Sequence, residues 1–142
     1  MKTISPSLKL FINLAKIHTV SSRRFSGGLD GLGFSEFTIA FHLIQADCEK
    51  MRRVDLAEKM GLTASGVTRL LAPMEKIGLI KRESSEQDAR VSYVALTIAG
   101  KRNFTDALVK AELFAQGIFS PARIKKLGAL PDLLVEIGGS VK

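Results

Sequence analysis

Residues 54–80, VDLAEKMGLTASGVTRLLAPMEKIGLI, constrain this chain more than any other stretch. Leu56, Ala57 and Met60 recur at helical spacing, predicting a short amphipathic helix. Gly61 stands where such a helix ends in a left-handed conformation. Thr63 is a natural N-cap for a second helix, because its hydroxyl can accept a free backbone N–H of that helix's first turn. In that second helix Val67, Leu70, Leu71 and Met74 share a core face, while Ala64, Ser65, Thr68 and Arg69 share the opposite one. A helix meant only for solvent would more often carry Glu and Lys there. Two helices joined by a tight, Gly-containing turn make the outline of a helix-turn-helix. Small polar residues at the start of its second helix suit insertion into a major groove.

Beyond Gly78 the period changes. Residues 80–83 and 91–96 alternate or are β-branched, and the polar run 84–90 between them is turn-prone, predicting a β-hairpin with a long polar tip. Thr97 caps a long helix reaching about residue 119. Upstream, Ser5 and Pro6 read as cap and first helical residue of a helix to about Ser22. Ser35 is the expected cap of a second helix that buries Phe37, Ala40, Phe41 and Ile44 and ends at 47–49. The glycines at 27–33 predict a loop. Residues 50–53 form a basic link that can add one extended residue pair, with Arg52 a poor N-cap helped by Asp55. Ser120 and Pro121 open a last apolar helix, which Pro131 is expected to kink. The fold class is therefore mainly α with a small β-hairpin wing.

Charge adds a direction. The chain has 21 Lys and Arg against 14 Asp and Glu, a net +7, which favours a polyanionic partner. Residues 50–102 hold 11 basic and 6 acidic side chains, so the surplus sits on the helix-turn-helix and hairpin, as a nucleic-acid footprint requires. Other classes find little support. Cys48 is alone, and His18 and His42 lack ligand spacing, so neither a cofactor nor a metal is expected. No nucleophile–base arrangement is evident, and the glycines at 27–33 lack the strand-then-helix context of a phosphate loop, so an enzyme is not expected. No signal peptide or membrane-spanning run is seen, which makes a cytoplasmic chain the expectation. At 142 residues one domain is expected.

Two motifs resemble the MarR family (multiple-antibiotic-resistance regulators), which are dimeric winged-helix transcription factors. Residues 56–82, LAEKMGLTASGVTRLLAPMEKIGLIKR, resemble the family's LAxxLGLxxSxVTRLxxxLExxGLVxR. Asp88, Arg90, Val94, Leu96, Thr97 and Gly100 match its wing signature D-x-R-x-x-x-V-x-L-T-x-x-G at every fixed position. The resemblance implies a winged helix-turn-helix over 34–102, with helical segments 1–33 and 103–142 forming a homodimer. It places recognition-helix contacts on Ser65, Thr68 and Arg69, in the turn that also holds Thr63, Ala64 and Gly66. Arg90 would reach a minor groove, oriented by Asp88, from a wing tip that includes Ser84 and Ser85. Arg52, Arg53, Lys81 and Arg82 read either as phosphate-facing charges or as a solvated rim.

The chain departs from the family at Ala64 and Gly66, where relatives often carry Arg and Thr, and at Pro73 inside the recognition helix. In relatives the region of Phe41 and His42 lines an effector pocket, so His18, Phe41 and His42 are candidates for a small aromatic or phenolic effector. Cys48 is either an oxidant sensor, as in some relatives, or an inert thiol; acidic neighbours Asp47 and Glu49 disfavour the thiolate a sensor needs. The expected partners are double-stranded DNA and a second copy, in a repressor released by its effector. The alternative is a winged-helix protein–protein interaction module without specific DNA reading.

Overall fold

The computed structural model describes residues 3–26 and 31–141. Helix α1 (Pro6–Ser26) opens as expected, with the Leu8 N–H donated to the Ser5 hydroxyl at 3.2 Å, and runs one turn beyond Ser22. Most of the expected glycine loop, 27–30, lies outside the described residues. Helix α2 (Phe34–Gln45) corrects one expectation. Its N-cap is Gly33 with no side-chain cap, not Ser35. The Phe34 N–H instead donates to the Ser26 hydroxyl at the end of α1, 3.3 Å away. Phe25 meets Phe34, Phe37 and Phe114 edge-on with centroids 5.0–5.5 Å apart. Packing across the α1–α2 junction therefore sets where α2 starts, and a local capping rule does not see it.

A tight turn at Asp47–Glu49 puts Cys48 and Glu49 at φ 55° and 52°, conformations that L residues rarely adopt. An ion pair from Glu49 to Lys101 secures the turn. The basic link beyond it is a strand, β1 (Lys50–Arg52), antiparallel to β3 (Ser92–Leu96) with Met51 opposite Val94. β2 (Ile80–Ser84) lies on the other side of β3, Ile80 facing Leu96 and Ser84 facing Ser92. The three-stranded order is β1-β3-β2, a hairpin wing with one extra edge.

Helices α3 (Arg53–Met60) and α4 (Ala64–Lys76) are the two arms of the motif. Gly61 takes φ 65° as the left-handed C-cap, and Thr63 accepts the Gly66 N–H at 3.0 Å. Pro73 lies within α4, which continues through it to Lys76. The core gathers Ile39, Leu43, Leu56 and Val67, all at zero exposure, with Leu71, Met74, Ile80, Val94, Leu96 and Phe104 around them. Burying each such side chain contributes about 1.5–3 kcal/mol. A smaller cluster of Phe25, Leu32, Ala107 and Ala111 joins α1 to α5 (Ile98–Ile118).

The start of α5 explains two positions of the wing signature. The Thr97 hydroxyl accepts the Gly100 N–H at 3.0 Å and donates to the Gly78 carbonyl, while the Thr97 N–H donates to the Leu79 carbonyl at 3.0 Å. A Cβ on Gly100 would sit 2.0 Å from that same Leu79 oxygen. The helix can approach the α4–β2 link this closely only with glycine there.

Ser120 caps α6 (Pro121–Leu127), accepting the Arg123 N–H. The single kinked helix expected beyond it is two helices. The chain breaks at Gly128 (φ 58°) and Ala129, and Pro131 stands in the first turn of α7 (Leu130–Glu136). A proline without a donor is at home there, where the N–H has no partner in any case. No helix among the described residues is long and apolar enough to cross a membrane. Gly100→Ala should destabilise the fold by at least about 1–3 kcal/mol, the usual cost of overpacking, measured as a lower urea midpoint with an unchanged m-value.

Candidate nucleic-acid interface

With Val67, Leu71 and Met74 buried and Leu70 half-buried against the core, α4 has one face left for solvent. Ala64, Ser65 and Arg69 are exposed on it. Arg69 has no ion pair among the described residues, so its charge is fully available. The Thr68 hydroxyl donates to the Ala64 carbonyl at 2.9 Å, leaving its methyl group and oxygen lone pairs to an outside partner. Gly66 is different. It is half-buried, and a Cβ there would lie 3.2 Å from the Thr63 hydroxyl oxygen and 3.7 Å from Leu62. This position abuts the cap, so its lack of a side chain removes less from the outward face than the sequence suggests.

The wing tip is an ordered loop. The Ser85 hydroxyl accepts the N–H groups of Gln87 and Asp88 at 3.2 and 3.3 Å, and the Ser85 N–H donates to the Val91 carbonyl. Ser85 thus builds the tip from inside, while Ser84 is exposed at the end of β2. Asp88 Oδ1 accepts the Arg90 backbone N–H at 3.0 Å and its Nε at 3.2 Å. These bonds, the backbone one first, hold the Asp88 carboxyl below its ordinary pKa. The Arg90 side chain remains 91% exposed. An ion pair this open to water is weak, so Asp88 aims Arg90 without sequestering it.

Three of the four remaining candidate cations are engaged within the chain. Arg52, the N-cap of α3, makes a two-pronged contact to Asp55 at 2.8 and 3.0 Å, and that bond raises the arginine's pKa and lowers the aspartate's. Arg53 is half-buried, with a buried Nε that finds no hydrogen-bond partner among the described residues. Lys81 pairs with Glu83 at 2.9 Å, the main reason that carboxyl titrates low, and Lys50 approaches the same group at 3.7 Å from over the Tyr93 ring. Arg82 bonds Glu75 of α4 at 3.2 Å. Glu75 has no signal in the sequence, because no local spacing marks a pair between one helix and the strand after it. It ties α4 to the wing.

The three effector candidates do not come together. Phe41 and His42 share a cavity of about 260 Å³ with Gln45, Met51, Lys59 and the tail residues Ser140 and Val141. His18 lines no part of it. It rides exposed on α1, edge-on to Phe34 at the opposite end of α2, 6.1 Å between centroids. His42 is buried, and desolvation first, then the Lys59 charge, lowers its pKa from 6.5. Lys59, unmarked by any motif in the sequence, is therefore the cation of this cavity.

The MarR family model matches residues 43–92, the core of the motif through most of the wing. Over 59 residues the chain is 44% identical to YfiV, an uncharacterized HTH-type transcriptional regulator of Bacillus subtilis. That match takes in 42% of this chain and spans 37% of the relative's length. The whole fold is similar to NadR in complex with 4-hydroxyphenylacetate, with TM-score 0.78 and 22% identity over 97% of this chain and 98% of that one. It is similar also to Sco3205, a MarR family transcriptional regulator from Streptomyces coelicolor solved in complex with DNA, with TM-score 0.76 and 19% identity over 96% and 90% of the two chains.

Residues 43–92 resemble the MarR family, and the chain has the winged-helix fold of these solved structures. The curated relatives it matches are described as HTH-type transcriptional regulators, and the chain spans little more than a third of the first of them. The MarR wing signature is seen here to join two tasks. Asp88 and Arg90 shape the tip, while Val94, Leu96, Thr97 and Gly100 bury the hairpin base and dock α5.

Because the folded pKa of His42 is depressed, its contribution to stability is present above pH 6.5 and is lost as the pH falls from there through the folded value. The urea midpoint should therefore drop between pH 7.5 and pH 5 by more in the native protein than in His42→Gln. Parallel losses in the two proteins would mean that His42 takes up its proton as readily folded as unfolded.

Proposed function

We propose that the chain is a homodimeric repressor that docks on a pseudo-palindromic operator and is released by a small-molecule effector. The observation carrying this reading is charge left open to solvent at two places that a DNA duplex would bridge. Arg69, beside Ser65, faces out from the first turns of α4, and Arg90 stands out from an ordered wing tip. Of the other candidates, Arg52, Lys81 and Arg82 are held by carboxylates of the chain itself. In this reading α4 of each subunit enters a major groove, with the two about 34 Å apart along the duplex. Arg90 enters the flanking minor groove, and Thr63, Ala64, Thr68, Ser84 and Arg53 line the contact. Sco3205, which has this fold, was solved in complex with DNA, and that supports the docking mode.

Dimerisation accounts for the terminal helices. Phe11 is 72% exposed on α1 and Leu113 66% on α5, alongside Leu10, Ile12, Ile17 and Val109. So much uncovered apolar surface on two long helices marks an interaction face. A closed two-fold pair is its usual solution, and it also supplies the second α4. Effector release draws on NadR, solved with 4-hydroxyphenylacetate. In this chain the cavity of Phe41, His42 and Lys59 borders α3, the first helix of the motif. A ligand that shifts α3 and α4 off the groove spacing ends simultaneous docking of both subunits.

Binding to a genomic fragment selected by the protein should weaken with salt, log K against log salt having a slope near −5 to −9 for about 6–10 phosphate contacts. Arg90→Ala should lower affinity by about 1–3 kcal/mol, and Arg69→Ala should also relax sequence preference. Mobility-shift titration reads all three. Fragments bound no better than bulk DNA would instead favour a protein–protein module, in line with the missing side chains at Ala64 and Gly66.

A further inference from the structure

The cavity of Phe41 and His42 has a neighbour. A second hollow, of about 550 Å³, is lined by Asp55, Glu58, Lys59, Gly138, Gly139 and Ser140. Lys59 and Ser140 line both. At this shared wall the Ser140 hydroxyl donates to the Lys59 carbonyl at 3.3 Å, joining residues 81 positions apart in sequence. Taken alone, the cavity of His42, about 260 Å³, is smaller than the roughly 300–1,000 Å³ usual for a ligand pocket.

Two glycines bring the tail to this wall. Gly138, at φ 136°, and Gly139 fold the chain back on α7, donating to the carbonyls of Val135 and Leu134 at 3.3 and 2.8 Å. A Cβ on Gly139 would stand 2.8 Å from the Leu134 oxygen and 3.2 Å from its carbonyl carbon, so the fold-back depends on glycine. Lys59 lies in the last turn of α3, whose carbonyls have no partner within the helix. Ser140 meets one of them from outside. The tie is light, with Ser140 exposed and Val141 57% exposed. A segment held this way can lift without disturbing the core.

We propose that residues 138–141 are a strap across a single ligand site, and that an effector binds by lifting it. With the strap lifted the two hollows become continuous and admit a small aromatic acid. The Lys59 ammonium meets the carboxylate and the Phe41 ring the aromatic face, while Asp55 and Glu58 on the far wall turn the carboxylate toward Lys59. The bond from Ser140 to Lys59 breaks in the same step, so filling the site frees the end of α3, which leads through Gly61 into α4. This rests on the effector reading above and adds to it the part that moves.

Two variants test it in the full chain, with circular dichroism to verify folding. Gly139→Ala redirects the tail, and Ser140→Ala removes its bond to α3. Burial holds the His42 imidazole below its ordinary pKa of 6.5. Its proton resonance, identified by its loss in His42→Gln, should therefore titrate closer to that value in Gly139→Ala, where water reaches the ring. Calorimetry with 4-hydroxyphenylacetate, the compound in the NadR complex, reads the gate. The probe should bind Gly139→Ala at least about threefold more tightly than the native chain, because a site open only part of the time loses affinity by that fraction. Ser140→Ala should move in the same direction. Equal probe affinity in all three chains overturns the strap and leaves the effector site standing, as does a His42 titration that ignores Gly139→Ala. A probe that binds none of the three at millimolar concentration overturns the aromatic-acid effector, and the titration alone then decides whether the tail covers the site.

Discussion

The burial of one face of α4 governs everything else in this molecule. Val67, Leu71 and Met74 lie against Ile39, Leu43 and Leu56, and that contact fixes the helix's rotation about its own axis. Once it is fixed, Ser65 and Arg69 have nowhere to point but outward. A slip of one residue would turn the helix by about 100°, given its 3.6-residue period. That would bury a guanidinium and expose valine and leucine, at a cost no other contact in the domain could offset. The outward face is therefore a consequence of the inward one.

A second constraint operates where α4 hands over to the wing. Thr97 and Gly100 clamp the start of α5 onto the backbone at Gly78 and Leu79, and Glu75 holds Arg82 across from α4 to β2. α4, the hairpin and the long helix leading to the terminal region thus meet at one joint. Motion of α5 can reach the wing through it. This gives physical content to the proposal that a change among the terminal helices can be felt at the exposed face of α4 and the wing tip.

Charge is distributed by the same economy. Most basic side chains around the sheet are held by carboxylates of the chain itself, including Lys81 and Lys50 on Glu83 and Arg52 on Asp55. Two groups of cations stay open to solvent, Arg69 and Arg90 on α4 and the wing tip, and Lys16, Arg24, Arg123 and Lys126 around a groove between α1 and α6. A net charge of +7 alone cannot tell these groups apart. The first faces a polyanion in our reading.

Much of this was legible in the sequence, because it depends on neighbours along the chain. The caps at Ser5, Thr63, Thr97 and Ser120, the left-handed Gly61 and the hairpin at 80–96 are set within a few residues of themselves. The buried face of α4 comes from its period in the same way. What stayed hidden depends on residues distant in sequence. Ser26 displaces Ser35 as the partner at the head of α2, and Glu75 finds Arg82. His18 parts from His42, and the break in the last helix falls at Gly128 instead of Pro131. By itself the sequence determined the helix-turn-helix and its polar side, since periodicity and capping are local. Only the tertiary structure decided which cations remain free and which cavity His42 enters, because ion pairs and burial join atoms whose separation along the chain carries no signal.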